Sequence, residues 1–171
     1  MTARRMPRKL LPIEQIMAQL ASTPSELERK TTGLSDDQLR MRPDENTWSI
    51  AEIIAHLRAC ADMWGDRRIL TMVVKDRPTI KTISPITWLK GTNYRAVDVT
   101  ESLQAFAVQR TKLLYALESL SPNGWTRSAT ITGAGKPFEV TIHIEGDAIA
   151  RHERQHIRQI ARFDVTIERT D

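Results

Sequence analysis

Cysteine is nearly missing from this chain: Cys60 is the one thiol in 171 residues, so no internal disulfide framework staples the fold, in keeping with a reducing compartment. Long hydrophobic runs are missing too, and no stretch approaches the length needed to cross a bilayer. The basic opening, with Arg4, Arg5, Arg8 and Lys9, lacks the apolar core and small-residue cleavage pattern of a secretory signal, so the expected location is cytoplasmic, with no membrane partner. Aromatics are sparse at 5%, and seven glycines and eight prolines leave neither a collagen-like nor a low-complexity pattern. Several chemical signatures are absent as well. No Gly-x-Ser-x-Gly elbow, P-loop or glycine-rich dinucleotide fingerprint occurs. Nor is there a helix-turn-helix spacing, an aromatic RNA-binding motif or a zinc-finger pattern, so the net charge of +4 carries little weight and no nucleic-acid partner is expected.

What is present is helical periodicity. Leu10, Ile13, Ile16, Met17, Leu20 and Leu27 follow a helical spacing to about Thr31, with Pro24 predicting a kink or a new start. Ser35 with Gln38, and Ser49 with Glu52, have the capping-box spacing. The second pair opens a long helix running to about Lys75. At about 100° per residue, Ile53, Leu57, Cys60, Trp64 and Thr71 form its inward stripe, with His56 and Arg67 on one shoulder. Residues 77–98 read as a long connection with a helical turn near Trp88, and a third helix begins at Thr100 and stops at Ser121-Pro122-Asn123-Gly124. Residues 125–140 permit a short hairpin or an irregular loop. A fourth helix, from Val140 or Glu145 to Phe163, turns Ile142, Ile149, His152, His156, Ile160 and Phe163 inward and Arg151, Arg154, Arg158 and Arg162 outward. The expected fold is all-α: an antiparallel four-helix bundle with long connections, a flexible basic segment at 1–9 and a single domain at 10–171.

Four histidines occur, and two are informative. His152 and His156 stand one helical turn apart on the inward face, where two imidazoles can approach one ion. His56 on the second helix is the natural third ligand, and three neutral imidazoles leave coordination positions open for water or substrate. Zinc, nickel or iron suits such a set. His143 falls off the stripe and reads as surface or loop. Cys60 reads as a small core residue, with a soft fourth ligand or a redox role as the lesser alternative, Trp64 as a core anchor able to wall the site, and Trp48 and Trp125 as core and loop anchors. Arg67 is a candidate for an anionic substrate group or else a surface ion pair, and Glu153 a candidate base or ligand-orienting group or else the partner of an arginine.

The stretch from Thr47 to Leu57, reading Thr-Trp-Ser-Ile-Ala-Glu-Ile-Ile-Ala-His-Leu, resembles the DinB/YfiT-like superfamily, as does His152 to Ile160, reading His-Glu-Arg-Gln-His-Ile-Arg-Gln-Ile. The early Pro-Ser-Glu-Leu, the Leu-Ser-Asp-Asp-Gln-Leu turn, Asp62-Met63-Trp64 with Arg67, and Trp125-Thr126-Arg127 extend the likeness over nearly the whole chain. The resemblance implies a four-helix bundle with a divalent metal on His56, His152 and His156, a small-molecule substrate and often a homodimer. It also implies thiol transfer or isomerisation with a low-molecular-weight thiol such as bacillithiol, mycothiol or glutathione as cosubstrate. A metal-dependent hydrolase and a noncatalytic metal-binding or dimerisation bundle are the alternatives, so enzymatic activity itself stays open.

Overall fold

The computed structural model describes residues 9–133 and 135–167, with the side chains of 164–167 outside that description; of the basic segment expected at 1–9, residues 1–8 lie outside the described residues. Helix α1 (Ile13–Thr31) continues through Pro24 as one element. A short α2 (Asp36–Arg40) follows, opened by the Ser35/Gln38 capping box. The Ser49/Glu52 box likewise forms and starts α3 (Ile50–Cys60), which runs on through a π-helical segment (Ala61–Ile69) into α4 (Leu70–Val74). Strand β1 (Thr79–Lys81) and α5 (Pro85–Lys90) lie in the long connection. Then come α6 (Val99–Glu118), a 3₁₀ turn at Pro122–Thr126, strands β2 (Ser128–Thr132) and β3 (Phe138–Thr141), and α7 (Ile142–Ile167).

Four long helical segments make the bundle: α1, the α3–α4 run, α6 and α7. Both α1 and α3 pack on α6 and α7, so the order around the bundle is α1, α6, α3, α7. The first two long helices of the chain, and likewise the last two, therefore face each other across the diagonals, while α3 and α6 are neighbours. No helix among the described residues is long and apolar enough to cross a membrane.

A three-stranded sheet, not expected from the sequence as such, closes one end. The predicted hairpin exists as β2 and β3, antiparallel, but β1 joins it in parallel, with Ile80 beside Ile131. Ile80, Ala129, Ile131 and Val140 then enter the same core as Ile16, Leu20, Met72 and Leu117. Gly133 permits this closure. Its φ is +89°, and a Cβ there would stand 2.5 Å from the Thr82 carbonyl oxygen, so an L side chain is excluded twice over.

The π segment alters the register of everything after it. The Leu70 N–H reaches back to the Gly65 carbonyl, five residues away, and each such wide turn takes up extra chain. Thr71, predicted on the inward stripe, and Arg67, predicted on its shoulder, each give way to the next residue: Met72 and Arg68 are the buried ones. Arg67 is exposed, its guanidinium over the Trp88 ring at 4.6 Å. Asp62, at the start of the segment, accepts hydrogen bonds from Trp88 Nε1 at 2.9 Å, Tyr94 Oη at 2.6 Å and Gln109 Nε2. One carboxylate thus ties the long connection and α6 to the π segment.

Among the described residues the apolar core comes in two large clusters, with a small third one of Ala55, Ala59 and Leu89 where α5 meets α3. Of the large pair, one holds Leu20, Met72, Leu113 and Ile149 next to the sheet; the other holds Leu27, Ile53, Phe106, Ile157 and Ile160. Between them in chain order on α1, α6 and α7 lie Thr23, Arg110 and the stretch from His152 to His156. A polar layer divides the core, and the candidate site belongs to it.

Candidate metal centre

His56 projects from α3 about two turns after its capped start, and His152 and His156 project from successive turns of α7. Their Nε2 atoms converge: His152 Nε2 lies 3.1 Å from His56 Nε2 and 3.1 Å from His156 Nε2. One ring nitrogen from each of the three falls within 4.8 Å of the other two. The rings are mutually edge-on, with centroids 4.5 to 5.1 Å apart.

Electrostatics keep these rings neutral. Burial is the first cause in each case: it lowers the His56 pKa to about 4 and that of His152 to about 3, neighbouring imidazoles adding to the effect, and it lowers that of His156 against the opposing pull of Gln159. Tautomers are constrained as well. The His156 Nδ1–H donates to Gln159 Oε1 at 3.0 Å, which leaves the Nε2 lone pair facing the centre. Lone pairs 3.1 Å apart repel unless something positive lies between them. One Nε2–H on His152 serves only one of its two neighbours, and its Nδ1 is buried without a partner. A cation serves all three nitrogens. In a tetrahedral site with metal–nitrogen bonds of about 2.0–2.1 Å, ligand nitrogens stand roughly 3.3 Å apart, close to the separations here. Donor chemistry and spacing both fit a divalent ion.

Aromatic walls surround the triad. Trp48 meets His56 edge-on at 5.0 Å and stacks parallel to His156 at 6.3 Å, while Trp64 meets His152 edge-on at 4.9 Å. Trp48 is thus a wall of the site, where the sequence pointed only to an anchor. Cys60 Sγ is 3.5 Å from His56 Nε2, but burial pushes its thiol pKa far up, so it packs here as a thiol.

The other sequence candidates are placed elsewhere. Glu153 is fully buried, with Oε1 paired to Arg110 Nη2 and Oε2 accepting from Thr23 Oγ1 at 2.9 Å. It binds α1, α6 and α7 together, both of its oxygens engaged away from the histidines. Arg67 lies on Trp88; the arginine that enters the interior is Arg68, whose Nη1 donates to Glu145 Oε1 at 2.6 Å. His143 is half-buried and bonds through Nε2 to the Leu11 carbonyl at 2.8 Å, a link between α7 and the start of the chain rather than a free surface group. Arg154, expected on the outer face, instead crosses to Glu26 of α1 with contacts of 2.6 and 2.9 Å. Gln159 and Asp62 stand in the sequence only as parts of the matching segments, with no role of their own. A glutamine three residues after a helical histidine was the available signal for Gln159.

Fold and cluster define a helical bundle whose core opens onto three convergent imidazoles, the layout of a metal-binding bundle. The DinB superfamily sequence pattern matches residues 19–160, and the chain belongs to that family. Among sequence relatives, a Geobacillus kaustophilus protein named as a proposed metal-dependent hydrolase is 26% identical over 149 residues, covering 87% of this chain and 82% of its own. Bacillus subtilis YuaE, described as uncharacterized, is 28% identical over 151 residues, 80% of this chain and 90% of its own. In structure the chain is similar to Bacillus subtilis YfiT, described as a probable metal-dependent hydrolase with an unusual four-helix bundle topology. The TM-score is 0.80 at 16% identity, over 95% of this chain and 93% of that one. A mycothiol-dependent maleylpyruvate isomerase shares the fold at TM-score 0.66 and 13% identity, over 88% of this chain and 61% of that one.

Proposed function

We propose that this protein is a divalent-metal-dependent enzyme that activates a small nucleophile, a thiol or water, at His56, His152 and His156. The convergence of three neutral Nε2 atoms at 3.1 Å contacts carries the reading. Zinc, nickel and iron all accept such a ligand set. A bound ion supplies Lewis acidity, lowering the pKa of whichever nucleophile it meets and leaving it reactive near neutral pH. The protein's own contribution is placement. Burial holds the imidazoles unprotonated, the Gln159 carbonyl fixes the tautomer of His156, and Trp48 and Trp64 border the rings with low-dielectric surface. Glu153 holds α7 in place through Arg110 and Thr23, which makes it a positioning residue.

The descriptions of sequence relatives as hydrolases favour water as nucleophile, and the fold shared with a mycothiol-dependent isomerase favours a thiol. Metal-loaded protein assayed against glutathione, mycothiol and bacillithiol with a chromogenic electrophile, and against ester and amide panels, separates the two. Turnover in one panel that disappears in His152→Ala is expected. Full metal occupancy without turnover in either panel would make the protein a noncatalytic metal-binding bundle.

A further inference from the structure

A second feature lies on the other side of Trp64. Between the π segment, the segment after β1, strand β3 and the start of α7 is an open cleft of about 360 Å³. Its lining is mostly apolar, and Ile83, Phe138 and Ile144 are exposed large hydrophobic side chains in that lining. Most surface hydrophobics need no explanation, but three around one concavity form a patch. Arg68 also lines it. The residue is buried, yet only its 2.6 Å bond to Glu145 is short: Nη2 reaches Thr82 Oγ1 at 3.4 Å, and Nε has no acceptor. Nε is shut off from the surface, so the donor capacity left for a ligand is that of Nη2, whose contact with Thr82 Oγ1 is long.

We propose that this cleft is a binding site for a small, uncharged molecule with an apolar body and one hydrogen-bond acceptor oxygen, such as a carbonyl. The volume is in the range of small-ligand sites, the walls supply apolar contact, and Arg68 supplies the directional group. Glu145 balances the charge of Arg68, so the site offers no net positive charge to a carboxylate. Ala148, also in the lining, stands one turn before His152 on α7, and Trp64 lies between the cleft and the His152 ring, which it meets at 4.9 Å. A ligand in the cleft is therefore one indole away from the histidines. The inference uses the metal-centre reading only for that adjacency.

Titration of zinc-loaded, isotope-labelled protein with acetanilide, read by amide chemical shifts, tests it. Shifts are expected at Ile83, Phe138, Ile144 and Ala148, with affinity at least tenfold weaker in Ala148→Phe, which fills the cleft from an exposed position, and at least threefold weaker in Phe138→Ser. Ethylbenzene, lacking the acceptor, and benzoate, carrying a charge, are each expected to bind at least fivefold more weakly. The same titration on His156→Ala, stripped of metal, is expected to give the acetanilide affinity of the parent, which separates failure of the cleft from failure of the metal centre. Unchanged acetanilide affinity in both cleft variants, equal binding of ethylbenzene, tighter binding of benzoate, or shifts that follow protein concentration and show the face covered by a second copy would each overturn the proposal.

Discussion

His56 Nε2 and His152 Nε2 lie 3.1 Å apart although 96 residues separate them in the chain. Two bundle helices converge at this point, and the contact joins α3 to α7 through two ring nitrogens. The same atoms also depend on neighbours that never face the centre.

Gln159 is the clearest of those neighbours. With the Nδ1–H of His156 held by its Oε1, the lone pair of Nε2 points inward. Gln159→Leu should weaken divalent-metal affinity by about ten- to a hundredfold with little effect on folding, the usual loss when an orienting partner of a ligand histidine is removed. Competition against a chromogenic chelator measures it, and affinity equal to the parent's would remove Gln159 from the account.

Arg67 and Arg68 should differ sharply despite being adjacent. Arg67→Ala removes an exposed stacking contact on Trp88, worth about 0.5–1 kcal/mol. Arg68→Ala leaves Glu145 buried without its partner and should cost about 3–5 kcal/mol in urea unfolding. Equal effects of the two substitutions would contradict the register shift produced by the π segment.

Glu153 is predicted to be structural at a cost of the same size. Both side chains of its pair with Arg110 are almost wholly buried, so Glu153→Ala strands a cation and should lower stability by about 3–5 kcal/mol. Glu153→Gln keeps hydrogen-bonding capacity toward Thr23 and Arg110 and should retain metal stoichiometry wherever it folds. A folded Glu153→Gln protein without metal would instead assign Glu153 a direct part in the site.

Glu26 predicts part of the acid limb of stability. The hydrogen bond from Arg154 holds its carboxyl below the ordinary value of 4.5, the opposing effect of burial being smaller. With the folded-state pKa lowered, the unfolded chain binds the proton more readily, so this contribution is present above about pH 4.5 and is lost as pH falls through the folded value. Glu26→Gln should therefore be less stable than the parent near pH 6, with the gap narrowing below pH 4.5. Chemical denaturation at several pH values in chelator reads this, and a gap that widens on acidification would reverse the sign.

The convergence of the three histidines was largely legible in the sequence because α-helical spacing is regular where they sit. His152 and His156 are one turn apart, and His56 comes early in a helix whose start is fixed by the Ser49 capping box. Past Cys60 the same arithmetic slipped by one residue, since no residue type announces a π turn, and Arg68 was passed over for Arg67. The bundle could be read from four apolar stripes. Strand β1 could not: three residues carry too little alternation, and their partner in β2 lies about fifty positions downstream. The ion pair between Arg110 and Glu153 was hidden for a related reason, as charged residues on an inward stripe reveal their partners only once two helices are docked.

Metal content tests the central claim most directly. Untagged protein, stripped and then replete with zinc, nickel or iron, should retain one equivalent of one of these ions after dialysis. Cys60→Ala should retain the same, and His56→Ala and His152→Ala should each hold less than a tenth of it while remaining folded by circular dichroism. Equal and negligible metal in the parent and both histidine variants would contradict the account.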